Sequence, residues 1–320
     1  MMNKTLSNVL FAVLLTLVMN GLDITYHLAT DWAVHINYVA VKLTVVFLAT
    51  FLIVQFSGKV TEQGIVTSII GPFMFYLYYL SANPTINREL FKIDEQFWFF
   101  FLHFAFMMIA YFSAQQLFQA TGWRKNTGFV ILTTVGALAL DAIFVMARLK
   151  VLGLDEEAEA LFMTFGVIVI PLVVFLVASV LLLYWKGKTA HIIVSLLAGL
   201  ALGFITGDVL HGVAAAISFF VIYWTVHHVD FQSHLVKGLT AQGWTILGVV
   251  TLLVGGFYHF VPRKTVRSIA EFLIFDVTVF GYKIRQNDII MVSTLLLVIA
   301  LVSFYQLYKT TQKSVSQAYN

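Results

Sequence analysis

The sequence predicts an all-α protein, a polytopic transmembrane bundle of about ten helices. Of the 320 residues, 60% are hydrophobic and only 11% are charged, whereas about 25% of residues are charged in an ordinary soluble domain. Apolar runs of roughly 20 residues, enough to cross a bilayer as a helix, recur along the whole chain. These two observations predict an integral membrane protein whose main partner is the lipid bilayer.

The apolar runs divide the chain into ten expected spans within a single integral membrane domain, 1–320. Each run is bounded by a polar or charged segment of the kind that connects transmembrane helices. The last two spans form a C-terminal pair of helices, 243–320, with an extracytoplasmic loop at 262–286. The ten spans are predicted near residues 7–26, 33–56, 64–82, 96–118, 127–147, 161–185, 190–206, 208–228, 243–261 and 287–308.

Two parts of the chain resemble each other weakly. Each begins with an apolar helix that carries an aspartate, Asp23 in the first part and Asp141 in the second, followed by a polar loop and another apolar helix. His103 in the fourth span and His211 in the eighth are expected at comparable depths. The pattern predicts two parallel four-helix repeats plus two helices, although chance similarity between apolar helices explains it about equally well. The repeats would cover 1–126 and 127–242.

The charges of the connecting segments predict the orientation. One set of segments is basic, with few acidic residues, and in the other set acidic residues, above all those at 155–159, offset the basic ones. By the positive-inside rule the basic set faces the cytoplasm, and both termini are expected there. The basic set contains Lys4, Lys59, Arg124, Lys125, Lys186, Lys188, Lys237, Lys309 and Lys313.

Ionisable residues occur within the predicted spans, where they are costly and therefore indicate a functional site. Lys42 lies about nine residues into its helix, roughly 13 Å deep at 1.5 Å per residue, so we expect it to pair with Asp23, Asp141 or Asp208 rather than reach the surface. These residues are expected to gather in the outer half of the bundle. The full set is Asp23, His27, His35, Lys42, His103, Asp141, Asp208, His211 and His259.

Aspartate and histidine together are typical ligands of zinc, iron or copper(II), and two facing histidines can ligate a haem. In this interpretation His103 and His211 face each other and bind the cofactor, while Lys42 and Asp141 form a charge pair or relay. The less specific alternative is that each residue only hydrogen-bonds locally, and Asp208 would then be the N-cap of the eighth span. The predicted metal ligands are Asp23, His27, His35 and Asp208.

A second polar cluster is predicted on the cytoplasmic side, where His227 and His228 are followed by His234. Adjacent histidines at a helix end can bind a metal. A solvated helix end with imidazoles at the lipid headgroups is the favoured interpretation. His191 and Tyr223 are expected nearby.

Three functional hypotheses remain. The first is a metal- or haem-binding membrane protein, an oxidoreductase or a membrane subunit of one. The second is a proton- or cation-coupled secondary transporter that uses the same residues, and the third is a structural subunit. With no cysteine, thiolate metal sites are excluded, and the absence of a basic run argues against nucleic acid. Other membrane subunits or a second copy are the expected protein partners.

Overall fold

A computed structural model describes most of the first three quarters of the chain and short pieces of the last quarter. Of the described residues, 94% are helical and none is in a strand. The all-α prediction is thereby confirmed for this part of the chain. The described residues are 4–29, 36–56, 67–68, 93–119, 121–154, 165–229, 245, 248–249, 252–253, 297, 300–309 and 311–312.

Eight helices are found among the described residues, rather than about ten. Most of the predicted spans 64–82 and 243–261, and all of the loop 262–286, lie outside these residues, and nothing among the described residues establishes the predicted repeat. The helices are α1 (Lys4–Ala29), α2 (Ile36–Phe56), α3 (Ile93–Gln119), α4 (Trp123–Val151), α5 (Phe165–Tyr184), α6 (Lys188–Thr206), α7 (Val209–His228) and α8 (300–309).

Within the described part of the chain, four helices are long and apolar enough to cross a membrane: α1, α4, α6 and α7. Two others, α2 and α5, contain shorter apolar stretches, Lys42–Gln55 and Ile168–Tyr184. Helices of this length and composition satisfy their backbone hydrogen bonds internally, as a lipid environment requires. The chain is therefore an integral membrane protein in contact with the bilayer.

A two-residue connection, Gly207 and Asp208, joins α6 to α7. Gly207 has a φ of 68°, a left-handed conformation that ends α6 at little cost because glycine has no Cβ. Asp208 then accepts hydrogen bonds from the backbone N–H groups of Leu210 and His211 and begins α7. The adjacent spans predicted at 190–206 and 208–228 are thus two helices of one hairpin.

Small residues hold the two helices of this hairpin together. A Cβ built on Gly199 would lie 2.5 Å from the carbonyl oxygen of Gly212, and one built on Gly212 would lie 2.6 Å from the carbonyl oxygen of Gly199. Glycines at such positions let the backbones touch, which is how many membrane helices associate.

Helix α4 lies at the centre of the described helices, in contact with α1, α3, α5 and α7. Its contact with α1 is close, because Gly21 packs directly against Val135 and Ala139. Buried apolar side chains fill the remaining space, with Phe11, Leu15 and Met19 among them.

Helices α1 and α4 both run antiparallel to α3. Phe11 of α1 lies near Tyr111 of α3, and Asp23 of α1 lies near His103 of α3. Gly128, near the start of α4, packs against Leu117, near the end of α3. The two helices α1 and α4 therefore run in the same direction.

Candidate functional site

Asp23, on α1, is surrounded by three groups that can carry positive charge. The Lys42 ammonium contacts the Oδ2 atom of Asp23, while Nε2 of His103 lies 3.2 Å and Nε2 of His27 lies 3.6 Å from its Oδ1 atom. The side chains of Asp23 and Lys42 are 2% and 0% exposed. We refer to Asp23, His27, Lys42 and His103 as the Asp23 cluster.

The local sequence explains how this cluster forms. Asp23 and His27 are four residues apart on α1 and share one face of the helix, while Lys42 reaches across from α2 and His103 from α3. Aromatic rings close the surroundings, since Phe106 lies 6.1 Å from the His103 ring and 6.0 Å from the Tyr26 ring, centroid to centroid. The cluster is therefore enclosed by apolar groups and removed from solvent.

Asn20, which shares this face of α1, takes no part in the cluster. Its amide donates to the carbonyl oxygen of Thr16, at 2.8 Å. The Asp23 cluster thus contains one acid, one primary amine and two imidazoles. A charged carboxylate and a charged ammonium compensate each other there, and either one alone would be an uncompensated buried charge, which is strongly destabilising.

A second set of ionisable groups links α4 to α7. Nε2 of His211 lies 3.0 Å from Oδ2 of Asp141, and the backbone N–H of His211 donates to Asp208. Asp208 also forms an ion pair with Arg148 at 2.5 Å. The exposed fraction of the side chain falls from 37% at Asp208 to 8% at His211 and 3% at Asp141. We refer to Arg148, Asp208, His211 and Asp141 as the Asp141 row.

Asp208 lies between two membrane-spanning helices, at the exposed end of the row. Partial burial raises the pKa of its carboxyl. Hydrogen bonds from Arg148 and from the backbone N–H groups of His211 and Leu210 outweigh that effect and hold the pKa below its ordinary value. Asp208 is therefore ionised at neutral pH.

Both sets lie toward the same end of the bundle. Gly21 contacts Ala139, and Asp23 and Asp141 each follow these residues by two positions on helices that run in the same direction. Of the ionisable residues expected in the outer half, His35 and His259 lie outside the described residues. Lys42 pairs with Asp23, one of its three predicted partners.

The arrangement differs from that of a metal centre. No group of three or more histidine, aspartate or glutamate side chains in the described ranges is placed to hold a metal ion. The cationic group in contact with the Asp23 carboxylate is the ammonium group of Lys42. His103 and His211, predicted as facing ligands, approach different carboxylates. The metal and haem hypothesis stays a prediction.

Arg148 was not predicted as a site residue. It is one of the basic residues that acidic residues offset in the outer set of connecting segments, and the structure pairs it with Asp208. Its position in the last turn of a long helix was the available signal, because a cation there can reach the helix-capping carboxylate of a neighbour. Asp208 itself has the alternative role considered for it, the N-cap of a helix.

The second predicted cluster surrounds a cavity at the opposite end of the bundle. The rings of His191 and His227 lie 4.0 Å and 4.1 Å from that of Tyr223 between them. His228 stacks on Trp224 at 4.3 Å. His234 lies outside the described residues, and the cavity has a volume of about 1020 Å³.

Comparison with protein-family models, curated proteins and solved structures found no match to this chain. Its class therefore follows from its own fold and site. The chain is an integral membrane protein of the helical class, with two sets of buried or half-buried ionisable groups at one end of the bundle and a cavity at the other.

Proposed function

We propose that this protein is a proton-coupled secondary transporter and that the Asp23 cluster is the site where the coupling proton binds. The observation that carries the proposal is the approach of Lys42, His27 and His103 to the single buried carboxylate of Asp23. Ionisable side chains at membrane depth are costly to maintain and typically belong to ion pathways or proton relays. Histidine is suited to such a relay because it ordinarily titrates between about pH 5 and 8.

The two carboxylate oxygens of Asp23 have different partners, which supports different roles for them. Lys42 contacts Oδ2, whereas both imidazoles face Oδ1. A proton passed from an imidazolium to Oδ1 would leave a neutral imidazole, neutralise Asp23 and remove the attraction that holds the ammonium. Because the ion pair connects α1 to α2, protonation would change the free energy of their contact. A conformational equilibrium responds to such a difference between states.

The Asp141 row supplies a route by which protons could enter the bundle. Its members become progressively less exposed from Asp208 through His211 to Asp141. Asp141 lies at the level of Asp23 on a neighbouring helix. The row thus leads from solvent to a buried carboxylate at the level of Asp23, and in this proposal it supplies protons to the cluster.

The pairing of residues also supports the proposed duplication of the chain. In the first half, an aspartate on the first predicted span approaches a histidine on the fourth, Asp23 and His103. In the second half, the corresponding pair is Asp141 and His211. Lys42 pairs with the first of these aspartates. In this proposal the two halves have diverged, the first into the proton-binding site and the second into the route that leads to it.

The proposal also includes the orientation of the protein in the membrane. We place both termini and the cavity end in the cytoplasm, because the basic connecting segments lie there under the positive-inside rule. The Asp23 cluster and the Asp141 row would then lie toward the outer face, and protons would enter from outside.

Reconstitution of the full chain in liposomes that contain a pH-sensitive dye tests the function. Proton flux would be driven by a potassium–valinomycin potential and, separately, by sodium or potassium gradients. We expect wild-type flux above that of protein-free liposomes. That flux should be lost in Asp23→Asn and equally in the double variant Asp23→Asn, Lys42→Met, which leaves no unpaired buried charge. Wild-type liposomes without added flux under any of these gradients would contradict the proposal and favour a structural role.

The control variant comes from the same pair of helices. Asn8 of α1 donates to Gln55 of α2 at 2.8 Å, a neutral contact far from the cluster. Gln55→Leu removes this hydrogen bond but leaves the charges of the cluster intact. We expect Gln55→Leu to retain flux. Equal losses in Gln55→Leu and Asp23→Asn would mean that the aspartate serves only to hold the helices together.

A further inference from the structure

The cavity at the end opposite the Asp23 cluster is formed where five helices begin or end. The last turns of α3, α5 and α7 and the first turns of α4 and α6 line it. Its volume of about 1020 Å³ is at the upper end of the range for small-molecule sites, roughly 300–1,000 Å³. The cavity is therefore large enough for a lipid headgroup and the upper part of its acyl chains.

Three exposed lysines stand at the cavity: Lys125 in the first turn of α4, and Lys186 and Lys188 on either side of Gly187. Gly187 has a φ of 118°, a conformation that glycine adopts readily, and it forms the turn between α5 and α6. No acidic residue is present among the described residues that line the cavity. The opening is therefore positively charged.

The inner walls of the cavity are aromatic and aliphatic. Besides the stacked rings of His191, Tyr223 and His227, Phe220 stacks on His191 at 4.4 Å, and aliphatic side chains such as Leu183 line the wall. A cavity with cationic groups at its opening and apolar groups inside is complementary to an anionic amphiphile, and less so to a small hydrophilic anion.

Exposed aromatic residues indicate the depth of the cavity in the bilayer. Trp123, Tyr184, Trp185 and Trp224 are all exposed, and all lie at the helix ends that surround it. Tryptophan and tyrosine concentrate at the level of the lipid headgroups, where their rings are apolar on one side and wet on the other. The cavity and its lysines thus lie at the level where lipid phosphates are found.

We infer that this cavity binds an acidic phospholipid, with the headgroup phosphate between Lys125, Lys186 and Lys188 and the upper acyl chain against the apolar wall. Basic pockets between transmembrane helices are known to bind anionic lipid headgroups. The inference is independent of the proposed transport activity, because it concerns the other end of the bundle. It assigns a ligand class to the cluster that includes His191 and His227.

Lipid binding to the full chain purified in a neutral detergent tests this inference. A short-chain phosphatidylglycerol, a phosphatidylcholine with the same chains, and inorganic phosphate would be titrated separately, with thermal unfolding and tryptophan fluorescence as readouts. We expect phosphatidylglycerol to raise the unfolding temperature by several degrees and the other two to have little effect. Because each lysine near an anionic surface contributes about a factor of 5, the triple variant Lys125→Gln, Lys186→Gln, Lys188→Gln should bind on the order of 100-fold more weakly.

A matched triple variant controls for the loss of three positive charges. Lys4→Gln, Arg124→Gln and Lys309→Gln remove three charges of residues that do not line the cavity, and this variant should bind phosphatidylglycerol within about threefold of wild type. Three results would each overturn the inference: equal stabilisation by both lipids, equal weakening of lipid binding in the two triple variants, or an equal response to inorganic phosphate. All six positions are exposed, and both variants should fold.

Discussion

Lys42 of α2 forms an ion pair with Asp23 of α1 in the apolar interior, where neither side chain is more than 2% exposed. The two imidazoles that approach the same carboxylate do so on its other oxygen. The ammonium and the imidazoles thus use different atoms of Asp23. A change at one oxygen can therefore affect the contact at the other.

Lys42→Met should destabilise the protein strongly, because it leaves the Asp23 carboxylate buried without its cationic partner. Removing one partner of a buried ion pair typically costs about 3–5 kcal/mol. The double variant Asp23→Asn, Lys42→Met should recover most of this loss, since no unpaired charge remains. A denaturant titration measures the free energy of unfolding of both variants. Destabilisation in the double variant that equals the sum of the two single effects would contradict the pairing.

Asp141→Asn should slow proton flux without abolishing it. In the proposed transporter the Asp141 row supplies protons and the Asp23 cluster binds them, so that loss of the supply route reduces the rate while binding remains. Flux in dye-loaded liposomes should fall severalfold in Asp141→Asn and to the protein-free level in Asp23→Asn. Identical flux in Asp141→Asn and wild type would exclude the row from the pathway.

The Arg148–Asp208 ion pair should contribute a small stability that acid removes. The pKa of Asp208 lies below its ordinary value of 3.8, so its contribution is present above that value and is lost as the pH falls through the lower pKa of the folded state. Both side chains are more than one third exposed, and the contribution should be below about 1 kcal/mol.

The variant that measures this contribution is Asp208→Asn, because asparagine keeps the N-cap of α7 but removes the charge. Thermal unfolding from pH 7 down to pH 3 should show wild type slightly more stable at pH 7 and the two proteins converging at the acid end. A difference that stays constant over the whole range would contradict the titration of Asp208.

Gly212→Ala should force α6 and α7 apart. The added Cβ would lie 2.6 Å from the carbonyl oxygen of Gly199 and 2.9 Å from the Cα of Gly203, both backbone atoms, and overpacking of this kind costs about 1–3 kcal/mol. Gly203→Ala on the facing helix is the control, because its nearest neighbour would be 3.3 Å away. Thermal unfolding should rank Gly212→Ala clearly below Gly203→Ala.

Composition and apolar run length were sufficient to predict the helical membrane class, because a lipid environment permits few alternatives. Depth alone predicted that Lys42 would have a carboxylate partner. It did not determine which aspartate, because that depends on the way α1 and α2 pack. The position of Asp208 after Thr206 and Gly207 was sufficient to raise the possibility of a helix cap.

Other features depend on contacts between distant parts of the chain. His103 and His211 were predicted to face each other, but the structure gives each of them a different aspartate. Each histidine meets a different aspartate because different helices pack against α1 and α4. A local sequence pattern does not contain this information. Arg148 was missed for the same reason, since its partner is 60 positions away.

The Asp23–Lys42 pair has a consequence for biogenesis. A lysine within a helix opposes its transfer from the translocon into lipid by about 2.5–3.5 kcal/mol, and Lys42 lies within α2. Asp23 precedes Lys42 by 19 residues, so that the nascent chain presents the two opposite charges on consecutive segments. Helices α1 and α2 are thereby suited to leave the translocon together as a hairpin, with the charges already neutralised.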